Sequence, residues 1–205
     1  MDKTSYFLNP KAVLLIIIIT LSVSLSSCGR SSELDPKVIE RSKQLPLLEY
    51  NILSSEKTHP HPNTPGGRYN EAIMSYPDVR DCLIESERDI KPVDLRLIDW
   101  TQFRTDKEIN LCLWHIFNSI NNVEGVTEWM EFHGLNVRGK ASSRDLKKKR
   151  YFLNGSYVIE RGKPQLSPYR QSVGLVKLGE AQTITVSWNE DKTKILSVSF
   201  QTTTL

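Results

Sequence analysis

Net charge is what this chain has least of. Lys and Arg number 27 against 24 Asp and Glu, a formal balance of +3 over 205 residues. A dedicated nucleic-acid binder is expected to carry a strong basic excess, so the composition argues against that class. Histidine is scarce, at 4, and cysteine more so, at 3. No zinc-ligand spacing, phosphate loop or dinucleotide fingerprint organises them, so no metal and no cofactor is expected. His59 and His61 stand either side of Pro60 but have no third ligand and no fixed geometry. Long apolar runs are missing too, with one exception near the N-terminus.

That exception is residues 12–28, AVLLIIIITLSVSLSSC. A short polar stretch with Lys3 and Lys11 leads into an apolar run from Ala12 to Leu21, broken by Thr20 alone and continued by Val23 and Leu25 among serines. This is the layout of a secretory signal. Its apolar core is about 14 residues, short of the roughly 20 that a bilayer-spanning helix needs, so a permanent transmembrane segment is the weaker reading. The run closes on Leu25, Ser26, Ser27 and Cys28, which resembles the lipobox of bacterial lipoproteins: a branched apolar residue, two small residues and a required Cys. The resemblance covers the first 28 residues. It implies that the Cys28 thiol receives a diacylglyceryl group, that the chain is cut just before it, and that the new amino group is acylated. Acyl chains at about 0.8 kcal/mol per buried CH₂ then hold the protein on a membrane. A residue other than Asp after the Cys, here Gly29, implies transfer to the periplasmic face of the outer membrane. That sorting rule varies between bacteria and leaves the cytoplasmic membrane open.

Removing residues 1–27 takes away Asp2, Lys3 and Lys11 and leaves 178 residues at +2, enough for one domain with a proper core. Residues 28–70 read as a tether, with five of the ten prolines (Pro36, Pro46, Pro60, Pro62, Pro65) followed by Gly66 and Gly67. Prolines at this density favour extended backbone. One helical turn is expected near Pro36 to Gln44, where Asp35 can cap and Pro36 takes the first helical position. The folded domain is then 71–205. Export also bears on the cysteines, because Cys82 and Cys112 form an even pair in an oxidising compartment. Cys82 shares an apolar face with Val79 and Leu83, and Cys112 one with Ile109, Leu113 and Ile116, so a disulfide between them is expected.

Along the domain, Val79, Cys82 and Leu83 predict a helix from about Pro77 to Glu87. Val93, Leu95 and Leu97 alternate with Asp94, Arg96 and Ile98, as in a short strand or extended connector. The clearest helix runs from Asp106 to about Asn121. Thr105 and Glu108 make a capping box, and Ile109, Cys112, Leu113, Ile116, Phe117 and Ile120 form one stripe. Gly125 then reads as a breaker, Thr127 as the cap of a second short helix, and Gly134 as its C-terminal stop. Beyond the basic run Arg144, Lys147, Lys148, Lys149 and Arg150 the period changes to two. Asn154 and Gly155 read as a hairpin turn between 151–153 and 156–160. Strands follow over 172–178, 181–188 and about 194–202, with Val186 opposite Leu196 and Ile184 opposite Val198 as the register that keeps the apolar set together. Val173, Leu175, Ile184, Val186, Trp188, Leu196 and Val198 would share one face, covered by the 106–121 helix. The fold class expected is α+β: helices followed by an antiparallel meander, in two layers.

The folded part offers little catalytic material. His115 lies one step off the core stripe, and His133 lies beside a helix end where a cation is favoured. Cys112 and His115 share a helix, but oxidation would consume that thiol. Ser54 and Lys57 have the serine-x-x-lysine spacing of penicillin-binding enzymes, without the Lys-Thr-Gly or Ser-Asp-Asn partners. The basic run can meet phosphate-rich lipid headgroups or serve as a solvated loop. The reading that fits best is a non-catalytic envelope protein that binds another protein, a lipid or the cell wall. An envelope hydrolase with an unrecognised site is the alternative. Two helices before an antiparallel sheet, with Gly125, Val126 and Thr127 opening the second, resemble the small lipoproteins of the outer-membrane barrel-assembly machinery. Their Gly-Met-Thr motif reaches its next Gly two residues later than Gly134 does here, so no residue roles are carried over.

Overall fold

The computed structural model describes residues 36–55, 69–142, 149–158 and 180–204, all within one unit, Ser32–Leu205. Helices α1 (Pro36–Lys43), α2 (Asn70–Ser75), α3 (Asp106–Ile120) and α4 (Val123–Phe132) precede strands β1 (Asn136–Ser142), β2 (Arg150–Val158), β3 (Glu180–Asn189) and β4 (Ile195–Thr204). The four strands form one antiparallel sheet in the order β1-β2-β3-β4. The fold is α+β.

Helix α3 starts where its capping box places it. Thr105 Oγ1 accepts from the Glu108 N–H at 3.2 Å, and the Glu108 carboxylate accepts from the Thr105 N–H at 3.0 Å. It ends on Asn121 in the left-handed region, φ 51°, which Asn tolerates better than most residues. Its predicted stripe is buried, but so are Leu111, Trp114, His115 and Ser119. A helix buried nearly all round is an interior helix rather than a surface one. It packs on β4 on one side and on α2 and the turn Val79–Cys82 on the other.

Helix α4 begins earlier than its sequence predicts. Asn122 is the cap, its side-chain oxygen accepting from the Gly125 N–H at 2.6 Å, and Gly125 lies inside the first turn. A Cβ there would stand 2.6 Å from Ile120 Cγ2, so the glycine permits a close helix junction instead of breaking a helix. Gly134, φ +77°, stops α4 as expected. The predicted helix over 77–87 is two 3₁₀ turns, Val79–Cys82 and Glu85–Glu87, the first capped by Asp78 and Asp81.

The Asn154–Gly155 turn is corrected: both residues lie inside β2, where Gly155 pairs with Val137 and Ile184. A Cβ at Gly155 would stand 2.8 Å from Leu135 Cδ2 and 2.9 Å from Met130 Sδ. The glycine lets the end of α4 approach the sheet. Between β3 and β4 the register is two residues from the expected one, with Val186 opposite Val198 and Ile184 opposite Phe200. A shift of two preserves faces, so Ile184, Val186 and Trp188 are buried as expected. Phe200 is buried opposite Ile184, and an irregularity at Ser187/Trp188 then puts Ile195 opposite Trp188, with Ile195 buried and Leu196 exposed. The expected strand 172–178, with Val173 and Leu175, lies outside the described residues.

The described part of the expected tether is mostly exposed but touches the domain at a few points. Helix α1 begins at Pro36, and Leu48 and Ser54 are buried, with Leu48 in the same apolar cluster as α3 and the sheet. The connector 93–100 is buried at every residue.

Candidate functional site

The residues singled out from sequence are scattered. Cys28, Arg144, Lys147 and Lys148 lie outside the described residues, as do Lys57, His59 and His61. Lys149 and Arg150 are exposed at the start of β2, with Lys149 Nζ 3.2 Å from Glu190 Oε1. Cys82 and Cys112 stand at disulfide distance, with Cα atoms 5.6 Å apart. Both are wholly buried, so neither is placed to act as a nucleophile.

His115 is not at the margin of the core but inside it, with no exposed surface. Its Nε2 lies 3.2 Å from the Tyr76 carbonyl oxygen and its Nδ1 3.0 Å from Ser54 Oγ. A carbonyl only accepts, so Nε2 carries the proton and the Ser54 hydroxyl donates to Nδ1. Asn118 Nδ2 donates to the same Ser54 oxygen at 3.3 Å, and the Ser54 N–H donates to Ser119 Oγ at 2.8 Å. This is the pairing a serine nucleophile and its base would use. Here it is sealed: Ser54 is 1% exposed, which leaves no room for a substrate carbonyl at its oxygen. In this arrangement the pair fastens residues 51–55 to α3. The sequence signal for it was five apolar residues, Leu47, Leu48, Tyr50, Ile52 and Leu53, inside a segment otherwise read as a spacer.

A second polar group joins α1, the connector and α4. Arg96, wholly buried, donates from Nε to Asp94 Oδ1 at 2.8 Å, from Nη2 to Asp94 Oδ2 at 2.9 Å, and from Nη2 to the Ser42 carbonyl at 3.2 Å. The Asp94 N–H donates to Glu87 Oε1 at 2.6 Å, and burial pushes the Glu87 carboxyl above its ordinary range. Arg96 and Arg41 both lie over the Phe132 ring, at 5.3 and 5.0 Å, and Arg41 Nη1 donates to the Phe132 carbonyl at 3.2 Å. The Asp94 and Arg96 charges are tolerated inside because they are paired with each other. Charged residues within the otherwise apolar run 93–100 were the sequence signal.

His133 caps α4 with its ring against Trp129, Trp100 and Phe132, at centroid distances of 4.1, 5.6 and 5.2 Å. Burial pushes its pKa down to about 3, against a hydrogen bond to the Arg96 backbone that raises it, and the Arg41 and Arg96 charges lower it further. The imidazole is therefore neutral at neutral pH. Burial overrides the helix end, which alone would favour the cation. Among the described residues no group of three or more His, Cys, Asp or Glu is placed to hold a metal ion, and no helix is long and apolar enough to cross a membrane. No family model, curated protein or solved structure matches this chain.

Proposed function

We propose that this chain is a lipid-anchored envelope protein, attached through Cys28 to the periplasmic face of the bacterial outer membrane, and that its domain binds another envelope macromolecule without chemistry of its own. The observation that carries the anchor is the run from Ala12 to Leu25 followed by Ser26, Ser27 and Cys28. Export into an oxidising compartment fits two core cysteines at disulfide distance. The binding role is supported by what the polar side chains in the core do. The Ser54–His115 and Asp94–Arg96 groups are occupied in holding segments together.

Metabolic labelling with a fatty acid tests the anchor. Label should enter the wild type and be lost in Cys28→Ala; an Ala variant that stays labelled and membrane-bound refutes the assignment. The alternative is an envelope hydrolase with an unrecognised active site, and the Ser54–His115 contact is the serine–histidine pairing the described residues offer to test. Ser54→Ala, once its fold is verified, separates the two: an intact cellular phenotype supports the binder, and a lost one supports catalysis.

A further inference from the structure

Seven large apolar side chains are exposed among the described residues, and of these only Leu45 and Leu47 are near neighbours in sequence. They are 39% and 42% exposed, with exposed Pro46 between them. A leucine exposed singly needs no explanation, whereas an apolar group held in place on the surface does. This group is held on both sides. Ser42, near the end of α1, is buried, and its carbonyl accepts from Arg96 Nη2 at 3.2 Å and from the Leu45 N–H at 3.2 Å. Leu48 is buried in the core. Leu45, Pro46 and Leu47 therefore form a short apolar ridge on a backbone tied down at 42 and 48. Exposed Lys43 and Gln44 precede it and exposed Glu49 follows.

Two observations point to what the ridge meets. The first is its main chain. The Leu45 N–H is already bonded to Ser42 and Pro46 has none to offer, so entry into a medium without hydrogen-bond acceptors costs little at these two positions. The second is the length of chain from the anchor. Pro36 follows Cys28 by eight residues, a span of about 28 Å at most. A folded unit as long as 32–205 is about 40 Å across. Acyl chains on Cys28 would thus keep a bilayer within reach of α1 and out of reach of the surface opposite. The ridge follows α1 directly, a helix about 12 Å long. Charge between 36 and 49 is nearly balanced, with Lys37, Arg41 and Lys43 against Glu40 and Glu49, so apolar contact is the main attraction. Lys43 beside Leu45 suits a bilayer boundary, its stem along apolar surface and its ammonium at the phosphates.

We propose that Leu45, Pro46 and Leu47 are a membrane-contact ridge, which enters the headgroup boundary of the bilayer that carries the Cys28 acyl chains, with Lys43 Nζ at the lipid phosphates. The contact makes attachment bivalent and holds the domain against the membrane in one orientation. The inference rests on the lipid anchor proposed above and adds a second point of contact to it.

The test uses the full chain, labelled metabolically with a fatty acid and reconstituted into vesicles of phosphatidylethanolamine and phosphatidylglycerol. With Cys28 acylated and Cys82 bridged to Cys112, Leu47→Cys supplies a single thiol for a fluorescent dye. Glu190→Cys, in the exposed turn between β3 and β4, is the control, and circular dichroism checks the fold of each variant. Nitroxide-bearing lipids should quench the dye at 47 at least threefold more strongly than the dye at 190. Adding Leu45→Glu should cut the quenching at 47 at least twofold, and Lys43→Glu should weaken it as well. Equal quenching at 47 and 190 in a chain that carries the fatty acid overturns the ridge and leaves the anchor standing. A chain without the fatty acid removes the anchor and the ridge with it. A dye at 47 that is unquenched in vesicles, yet shielded from aqueous iodide in native outer-membrane fragments, shows a protein partner on this surface and also overturns the proposal.

Discussion

Ser54 Oγ and His115 Nδ1 meet 3.0 Å apart in the core, although 61 residues separate them in sequence. The contact makes the segment around Ser54 part of the fold. Replacing Ser54 with Ala leaves a buried ring nitrogen without its donor, an omission that costs about 1–3 kcal/mol. We expect Ser54→Ala to lower the stability measured by urea unfolding by that amount. An unchanged midpoint would mean that residues 51–55 act as a free tether after all.

The Cys82–Cys112 pair makes a larger prediction. A bridge over a separation of 30 residues closes a loop that contributes about 3–4 kcal/mol in the chain-entropy model. Alkylation of denatured, unreduced protein should find no free thiol at either position, and two after reduction. Reduced protein should unfold at correspondingly lower urea. Two reactive thiols before reduction would mean that the cysteines serve only as small apolar side chains.

What the sequence discloses follows how local each signal is. Helix α3 is readable because its cap, Thr105 with Glu108, and its apolar stripe lie within 16 residues of each other. Strand β1 was legible in principle through the period-two set Leu135, Val137, Gly139 and Ala141. Arg138 and Lys140 alternate with it as a strand pattern requires, but the glycine in the apolar set weakened the signal. The Ser54–His115 and Arg96–Ser42 contacts join residues 61 and 54 apart, and no periodicity reports such pairings. Leu196 was misplaced because the irregularity at Ser187/Trp188 exchanges its face for that of Ile195; alternation cannot announce a bulge.

Gly155 illustrates the same point and can be tested. Local chemistry reads Asn154–Gly155 as a turn, whereas the fold uses the missing Cβ to admit Met130 and Leu135. Gly155→Val adds a branched side chain where even one carbon would lie under 3.0 Å from both. Overpacking of this kind costs about 1–3 kcal/mol, despite the better strand propensity of valine. A thermal melt decides between the two: a lower midpoint is expected for Gly155→Val, and a raised one would show that the end of α4 is free to move away.

His133 makes stability depend on pH. Its folded pKa, about 3 and set mainly by burial, lies below the value of about 6.5 expected in the unfolded chain. Between those values the unfolded state binds the extra proton, so stability rises with pH across the window. The contribution is complete above about pH 6.5 and is lost progressively as pH falls towards 3. Going from pH 7 to pH 5 should therefore cost about 2 kcal/mol. Glu87, whose pKa is raised by burial, works in the opposite sense: protonation relieves its desolvation, so acidification through its range stabilises the fold. The His133→Phe variant retains an aromatic ring beside Trp129 and cannot take up a proton. Urea titrations at pH 7 and pH 5 should give a stability difference that is smaller in the variant than in the wild type by about 2 kcal/mol. Equal differences in the two proteins would show that the imidazole is charged, or reaches water, in the folded state.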